Sequence, residues 1–179
     1  YLPKERSASA EFNKTWQDAE ANAKKPEDNL TMSHSVALYV YTNKDSSVYS
    51  DFTKATRTEK QTYISGTFKW YSLHYLLTEA VQILKKTQPR CFLTYRGTNL
   101  QCFDTFRGTK SEYELLDNTV RFGSFASSSY IRNKAMFFGS VSCFEIHTCA
   151  GADITDYSML DREKEVLIPP YETFRVTET

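Results

Sequence analysis

Residues 163–170 read Glu163-Lys164-Glu165-Val166-Leu167-Ile168-Pro169-Pro170, two carboxylates followed directly by an apolar run. The apolar run predicts a core strand over Glu165–Ile168. If the strand already includes Glu163, the two carboxylates share one face, because alternate residues of a strand point the same way. Paired carboxylates suit chemistry at an anomeric carbon, where one oxygen stabilises an oxocarbenium-like centre and another handles a proton. Spacing alone favours the plainer alternative of a solvated charged turn before an ordinary strand.

A serine-rich strand end is the second candidate. Residues 122–129 read Phe122-Gly123-Ser124-Phe125-Ala126-Ser127-Ser128-Ser129, a β-forming run that ends in three hydroxyls. Such hydroxyls can orient a carboxylate or bind amide and ribose groups of a ligand. A plain strand-to-loop exit explains the same residues. No Ser-His-Asp order surrounds them, which argues against a hydrolase triad.

An arginine followed by Gly-Thr occurs twice. Cys91-Phe92-Leu93-Thr94-Tyr95-Arg96-Gly97-Thr98 recurs as Cys102-Phe103-Asp104-Thr105-Phe106-Arg107-Gly108-Thr109. A guanidinium at a strand end can pair a pyrophosphate bidentately, and a neighbouring glycine lets the pyrophosphate approach the backbone. Arg96, Gly97 and Arg107 are therefore candidate phosphate-binding residues. The alternative is an ordinary arginine in a β-turn.

The two halves of the chain differ in pattern. Helices are predicted in the first half at 10–24, at 47–60 and from Ser72, which could cap the last of them, with a short strand between them at 36–41. Strands are predicted in the second half at 91–97, 119–125, 141–148, 165–168 and 171–176. Helices followed by strands predict an α+β fold, and 179 residues without a linker predict one domain over 1–179.

Charge and composition exclude several classes of protein. Lys+Arg and Asp+Glu are both 22, so the net charge is zero, whereas nucleic-acid and anionic-membrane binders need a basic excess. No apolar run approaches the roughly 20 residues of a membrane-spanning helix. Only 6 glycines are present, which removes most interpretations based on a glycine-rich phosphate loop.

The chain has four cysteines: Cys91, Cys102, Cys143 and Cys149. They form no CxxC pair and the three histidines lie far apart, so no metal site is expected. An even count fits two disulfides formed in an oxidising compartment, and the sequons Asn13-Lys14-Thr15 and Asn29-Leu30-Thr31 favour the same location. The alternative is four reduced cysteines that pack as small hydrophobes. The chain starts without a signal peptide, so we expect a trimmed, mature domain.

The order arginine, Ser-x-Ser, Glu-x-Glu resembles the R-S-E signature of mono-ADP-ribosyltransferases of the cholera-toxin-like and vertebrate ecto-enzyme class. Leu76-Leu77-Thr78-Glu79-Ala80 is similar to the family's helix before its catalytic arginine, and residues 120–129 are similar to its serine strand. Thr148-Cys149, then Gly151-Ala152, Tyr157-Ser158 and residues 165–174, are close to the vertebrate pattern. The resemblance covers residues 36–176.

This resemblance implies the ADP-ribosyltransferase fold, an α+β domain with N-terminal helices and two packed, mostly antiparallel sheets that form an NAD cleft. It implies transfer of ADP-ribose from NAD to an exposed arginine of an acceptor protein, with release of nicotinamide. NAD is then a substrate, and no metal is involved. The alternatives are an NAD glycohydrolase that uses water as acceptor, and a catalytically silent surface or antigen module. The silent module would be marked by loss of the arginine, serine or glutamate, all of which are present.

The resemblance also implies roles for single residues. Glu165 takes the catalytic position, where it binds the nicotinamide ribose and stabilises the oxocarbenium-like transition state. Glu163 engages the guanidinium of the acceptor. Ser127 holds Glu165 and lines the nicotinamide pocket. Residues 151–162 form the loop that meets the acceptor protein, with Tyr157 as its aromatic.

Arg96 and Arg107 compete for the arginine that grips the NAD phosphates. Arg96 follows the family's helix and lies in the more apolar strand, whereas Arg107 has the family's distance to Ser127. We prefer Arg96. The family joins the cysteine before this arginine to the one of Thr148-Cys149, which implies a Cys91–Cys149 disulfide and leaves Cys102–Cys143. It further implies an extracellular chain, secreted or lipid-anchored at the cell surface.

Overall fold

The computed structural model describes residues 1–101, 105–106 and 115–178. Six helices precede the first strand: α1 (Leu2–Ala8), α2 (Ala10–Asn22), α3 (Met32–Thr42), α4 (Val48–Thr58), α5 (Lys60–Ser65) and α6 (Tyr71–Lys85). The described strands are β1 (Phe92–Thr98), β2 (Thr119–Val120), β3 (Ala126–Ser129), β4 (Ser142–Thr148), β5 (Ala152–Asp153), β6 (Glu165–Ile168) and β7 (Phe174–Arg175). A short helix α7 (Arg132–Ala135) and 3₁₀ turns at Met136–Phe138 and Asp161–Glu163 lie between strands.

Both described sheets are antiparallel. Five strands pair in the order β4-β1-β3-β6-β5, and β2 pairs with β7 in a separate ribbon. The α+β class, with helices first and mostly antiparallel strands after them, is therefore confirmed. The predicted strand at 119–125 stops at Val120, because Gly123 adopts a positive φ of 75° and the chain turns before β3.

Strand β6 lies in the core. Leu167 packs into a cluster with the apolar faces of the helices, including Leu38, Phe52 and Leu77. Ile168 belongs to a second cluster, which also holds Phe122 and residues of β2 and β4. Val166, Leu167 and Ile168 are all fully buried. Burial on both sides explains why this strand shows no alternation of apolar and polar residues.

The strand predicted at 36–41 is wrong, because these residues lie inside α3. The Thr31 side chain caps this helix by accepting from the backbone N–H of His34, whose own ring accepts from the backbone of Thr31. Helix α3 packs against α2, α4 and α6. A short helix that is apolar on nearly every side has the same composition as a buried strand.

Helix α6 begins at Tyr71, and the predicted cap, Ser72, lies inside it. The backbone N–H of Ser72 instead donates to both carboxylate oxygens of Glu5, at 3.3 and 3.2 Å. Glu5 is buried, and its negative charge faces the positive end of the helix dipole. Glu5, which is distant in sequence, therefore binds the N-terminus of α6 in the way that was predicted for Ser72.

The predicted Cys91–Cys149 disulfide is confirmed. It joins the residue before β1 to the residue after β4, next to the paired residues Phe92 and Thr148. The Glu172 carboxylate reinforces this corner by accepting from the Thr148 hydroxyl and from the backbone N–H groups of Cys149 and Ala150.

The second predicted disulfide, Cys102–Cys143, is not formed at Cys143, which is free and exposed in the structure. Its expected partner Cys102 lies outside the described residues. Of the two sequons, Asn29 lies in an exposed left-handed turn, whereas the Asn13 side chain accepts from Arg6 at 2.8 Å. Within the described residues no helix combines the length and the apolar character needed to cross a membrane.

Replacing both Cys91 and Cys149 with Ser should lower the free energy of unfolding by about 2–4 kcal/mol, because the open chain gains entropy when unfolded. Urea unfolding under oxidising conditions measures this difference. Cys143→Ser is the matched control and should change stability by less than about 0.5 kcal/mol, as expected for an exposed free thiol. A loss from Cys143→Ser as large as that from the double variant would contradict a free Cys143.

Candidate active site

Glu165 is the first residue of β6 and pairs with Ser129 of β3. Its side chain is only 4% exposed, although it is a carboxylate. Glu163 precedes it in a 3₁₀ turn, and Lys164 between them adopts a left-handed φ of 48°. The strand therefore begins at Glu165, and the predicted alternation along a strand is not what positions Glu163.

Two of the three serines of β3 fasten this strand to the segment that carries both glutamates. The Ser128 hydroxyl donates to the carbonyl of Val166 at 2.9 Å, and the Ser129 hydroxyl donates to the carbonyl of Glu163 at 2.6 Å. Ser127 is different, because its hydroxyl lies near the Glu165 carboxyl and, as a hydrogen-bonding group, lowers the pKa of that carboxyl. The structure thus brings the predicted pair Ser127 and Glu165 close together.

The Glu165 carboxyl titrates near neutral pH. Burial raises its pKa from the ordinary value of 4.5 to about 7. The hydrogen bond from Ser127 opposes this rise, the negative charge of Glu163 adds to it, and the positive charges of Lys44 and Arg96 oppose it. A buried carboxyl surrounded by specific charges is characteristic of catalytic sites.

Tyr41 of α3 completes the surroundings of Ser127, and no sequence motif marked it. Its hydroxyl lies 3.3 Å from the Ser127 Oγ, and its side chain is only 1% exposed. Burial raises the pKa of this phenol well above its ordinary value, so it stays neutral at physiological pH. Because residues 36–41 were interpreted as an apolar strand, Tyr41 was not considered as a site residue.

Arg96 lies beside the same serine. Its Nη1 donates to the backbone carbonyl of Ser127 at 2.7 Å, and its guanidinium lies 5.8 Å from the centre of the Phe122 ring. The Nε of Arg96 is buried and finds no hydrogen-bond partner among the described residues. A buried, unused donor on a fixed cation suits an anionic ligand. Arg107, the competing arginine, lies outside the described residues.

Gly97 does allow a close approach to its backbone, which the chain itself makes here. A Cβ at this position would lie 2.4 Å from the carbonyl oxygens of Ala135 and Gly139. Gly97 therefore admits the segment around α7, and its approach to a pyrophosphate stays a prediction.

Glu163 is paired with a cation that sequence analysis missed. Lys44 lies in the turn between α3 and α4, and its Nζ is 2.5 Å from the Glu163 Oε1. The same Nζ lies 3.5 Å from the centre of the Phe138 ring. Residues distant in the chain form this contact, so no local pattern announces it.

The expected role of Tyr157 at the acceptor surface is wrong. Its ring is buried in the helical core, and its hydroxyl accepts from the backbone N–H of Glu27 and donates to Asp28, each at 3.1 Å. In residues 151–162 the exposed side chains are those of Asp156, Asp161 and Arg162. Tyr157 anchors the loop, and these charged residues face the solvent.

Comparisons with known proteins identify the family of the chain. The family model described as NAD:arginine ADP-ribosyltransferase matches residues 3–179. Human ecto-ADP-ribosyltransferase 4 is 37% identical over 98% of this chain and 55% of its own length. Chicken NAD(P)(+)–arginine ADP-ribosyltransferase 2 is 37% identical over 96% of the chain and 51% of its own length. Human GPI-linked NAD(P)(+)–arginine ADP-ribosyltransferase 1 is 39% identical over 80% of the chain and 42% of its own length.

The crystal structure of the eucaryotic mono-ADP-ribosyltransferase ART2.2 matches with a TM-score of 0.79 and 29% identity, over 99% of this chain and 77% of that one. Mutants of that enzyme in complex with NADH and with NAD match with the same TM-score. The chain belongs to the NAD:arginine ADP-ribosyltransferase family. It spans about half the length of the first curated relatives that it matches.

The raised pKa of Glu165 implies that the stability of the folded protein depends on pH. The pKa of about 7 in the folded protein lies above the ordinary 4.5, so the folded state binds this proton more tightly than the unfolded chain. The stabilisation from the neutral carboxyl is complete below pH 4.5 and is lost as the pH rises through 7. Glu165→Gln should therefore be more stable than the wild type at pH 8.5, by on the order of 2–3 kcal/mol.

Urea unfolding at pH 5 and pH 8.5 measures this effect, and the gain at pH 5 should be much smaller. Glu145→Gln, which alters an exposed carboxylate on β4, should show no such pH-dependent gain. Equal stability of wild type and Glu165→Gln at both pH values would contradict the buried, destabilised carboxylate.

Proposed function

We propose that this chain transfers ADP-ribose from NAD to arginine side chains of acceptor proteins and releases nicotinamide. The observation that carries the proposal is the buried Glu165 carboxylate, which lies near Ser127 and on a strand that matches the family's pattern. Membership of the NAD:arginine ADP-ribosyltransferase family supports it, as do the structures of a related enzyme with NADH and NAD. NAD is the substrate, and the reaction as proposed uses no metal.

In the first step the bond between the anomeric carbon and the nicotinamide nitrogen breaks. The bonding electrons go to the nicotinamide ring, which leaves as a neutral molecule, and positive charge develops on the ribose. The ionised Glu165 carboxylate stabilises this charge, and its burial strengthens the interaction because little water screens it. The positive charge of the bound nicotinamide ring favours ionisation of Glu165, so the active form predominates once NAD is bound.

Ser127 and Arg96 are proposed to position the substrate. The Ser127 hydroxyl keeps the Glu165 carboxylate in one orientation and borders the nicotinamide pocket, while Tyr41 holds Ser127 from the helical side. The unused Nε of Arg96 is suited to the phosphates of NAD. The Cys91–Cys149 bond supports Arg96 for this role, because the family's disulfide precedes its catalytic arginine.

In the second step an acceptor nitrogen attacks the anomeric carbon and loses a proton. A free guanidinium keeps its proton above about pH 12 and is a poor nucleophile. Glu163, two residues before Glu165, is proposed to pair with the guanidinium, orient it and accept its proton. The names of the chicken and human arginine ADP-ribosyltransferases among the relatives support arginine as the acceptor.

Hydrolysis of NAD is the second candidate activity, and one observation favours it as a side reaction. In the structure Lys44 forms an ion pair with Glu163, so this carboxylate is not free to bind a guanidinium. The Glu165 carboxylate is not engaged by this ion pair. Water needs no help from Glu163 and can attack the same anomeric carbon. A catalytically silent surface module is not proposed, since Arg96, Ser127 and Glu165 are all present.

The proposed setting is extracellular, with the chain secreted or lipid-anchored at the cell surface. The disulfide supports an oxidising compartment, and the relatives named ecto- and GPI-linked enzymes support the surface. The proposed partner is a protein with an exposed arginine, and the zero net charge gives no reason to propose nucleic acid. Residues 1–179 are proposed to form a single catalytic domain.

Glu163→Gln tests the acceptor. The variant should lose ADP-ribosylation of arginine by at least about 100-fold, because the amide neither pairs with the guanidinium nor accepts its proton. Nicotinamide release in water should remain substantial. The measurement follows ADP-ribosyl-arginine and free ADP-ribose together in one enzyme preparation.

Asp161→Asn is the matched control, since it removes an exposed carboxylate from the same 3₁₀ turn and should leave both activities intact. If both activities of Glu163→Gln fell in proportion, Glu163 would be a general catalytic or structural residue. Undiminished transfer to arginine would refute its proposed role with the acceptor.

A further inference from the structure

We propose that Glu163 and the ring of Phe138 form the binding site for the acceptor's guanidinium, and that Lys44 fills this site until an acceptor displaces it. The inference rests on the proposed transfer to arginine and deepens it. It adds an aromatic surface to the acceptor site. Lys44 then competes with the acceptor arginine for this site.

The contacts of Lys44 define the site. Its ammonium contacts both the Glu163 carboxylate, at 2.5 Å, and the face of Phe138, 3.5 Å from the ring centre. A carboxylate and an aromatic face are the two groups that a guanidinium binds best, through paired hydrogen bonds and through stacking. Lysine uses each of them only as a point charge. The site is therefore better suited to arginine than to the cation that now occupies it.

The site is open to an acceptor. The side chain of Lys44 is 42% exposed and that of Glu163 is 20% exposed, while Phe138 is 40% exposed. An ion pair with this exposure contributes little free energy, because water and salt screen it. An incoming arginine can therefore replace Lys44 without unfolding any element.

The site also lies next to the reacting centre. The Ser129 hydroxyl donates to the carbonyl of Glu163 at 2.6 Å. This bond fixes the backbone from which the Glu163 side chain extends. The charges of both Glu163 and Lys44 act on the Glu165 carboxylate. A guanidinium in the place of the Lys44 ammonium would stand beside the carboxylate that faces the ribose.

Occupation by Lys44 has a consequence for specificity. An acceptor binds with an apparent affinity reduced by the fraction of enzyme in which the site is vacant. A free guanidine must overcome this competition alone, whereas an arginine on a docked protein gains from the other contacts of that protein. Lys44 thus selects for acceptors that bind the enzyme through a surface as well as through the arginine.

The test uses agmatine, a small guanidine that offers no protein surface. Lys44→Met keeps an unbranched side chain that is one atom shorter and removes its charge, and should lower the KM for agmatine by about three- to tenfold. The KM for NAD should change by less than about twofold, a split that a general structural effect would not produce. Lys44→Arg should not lower the KM for agmatine, because the competing cation remains.

A second pair of variants tests the aromatic surface. Phe138→Leu should raise the KM for agmatine by about threefold or more, since the stacking face is lost. Phe137→Leu changes the neighbouring ring, which is 88% exposed, and should leave the KM for agmatine unaltered. Circular dichroism of all four variants checks that they fold.

The outcomes separate this inference from the proposed function. An unchanged or raised KM for agmatine in Lys44→Met, with normal transfer by the wild type, overturns the inference alone. Equal effects of Phe137→Leu and Phe138→Leu also overturn it. If neither wild type nor Lys44→Met forms ADP-ribosyl-agmatine while both release nicotinamide from NAD, the proposed function fails as well. Transfer that appears only in Lys44→Met supports the inference.

Discussion

The antiparallel pairing of β3 with β6 is the constraint on which the site depends. Ser129 pairs with Glu165, and the hydroxyls of Ser128 and Ser129 bind the carbonyls of Val166 and Glu163. The residues of β6 after Glu165 are buried between two apolar clusters, so the strand cannot shift without exposing them. Hydrophobic packing of β6 thereby keeps the Glu165 carboxylate buried, although the carboxylate alone would be more stable in water.

Burial of that carboxylate is unfavourable for folding and useful for chemistry. The raised pKa of Glu165 reflects the loss of water around its charge, which Ser127, Lys44 and Arg96 offset in part. The same environment makes the ionised carboxylate an effective partner for a developing positive charge. Sites that bury a charge in this way commonly combine lower stability of the protein with activity.

The sequence predicted those parts of the structure that local patterns determine. The apolar run after Glu165 marked β6 correctly, and the family resemblance identified the Cys91–Cys149 bond. Helix α3 was mistaken for a strand, because a helix buried on nearly all sides lacks a polar stripe. Tyr41 and Lys44 were missed because each contacts the site from the helical half of the chain, and local patterns do not show contacts between residues far apart in sequence.

Release of nicotinamide from NAD by the wild type and by Glu165→Gln is the most direct test of the account. The amide keeps the shape of the side chain and removes the charge that is proposed to face the ribose. We expect the rate to fall by at least about 100-fold, equivalent to about 2.7 kcal/mol of activation free energy, with binding of NAD retained. Near-normal release of nicotinamide by Glu165→Gln would remove Glu165 from the catalytic role and contradict the account.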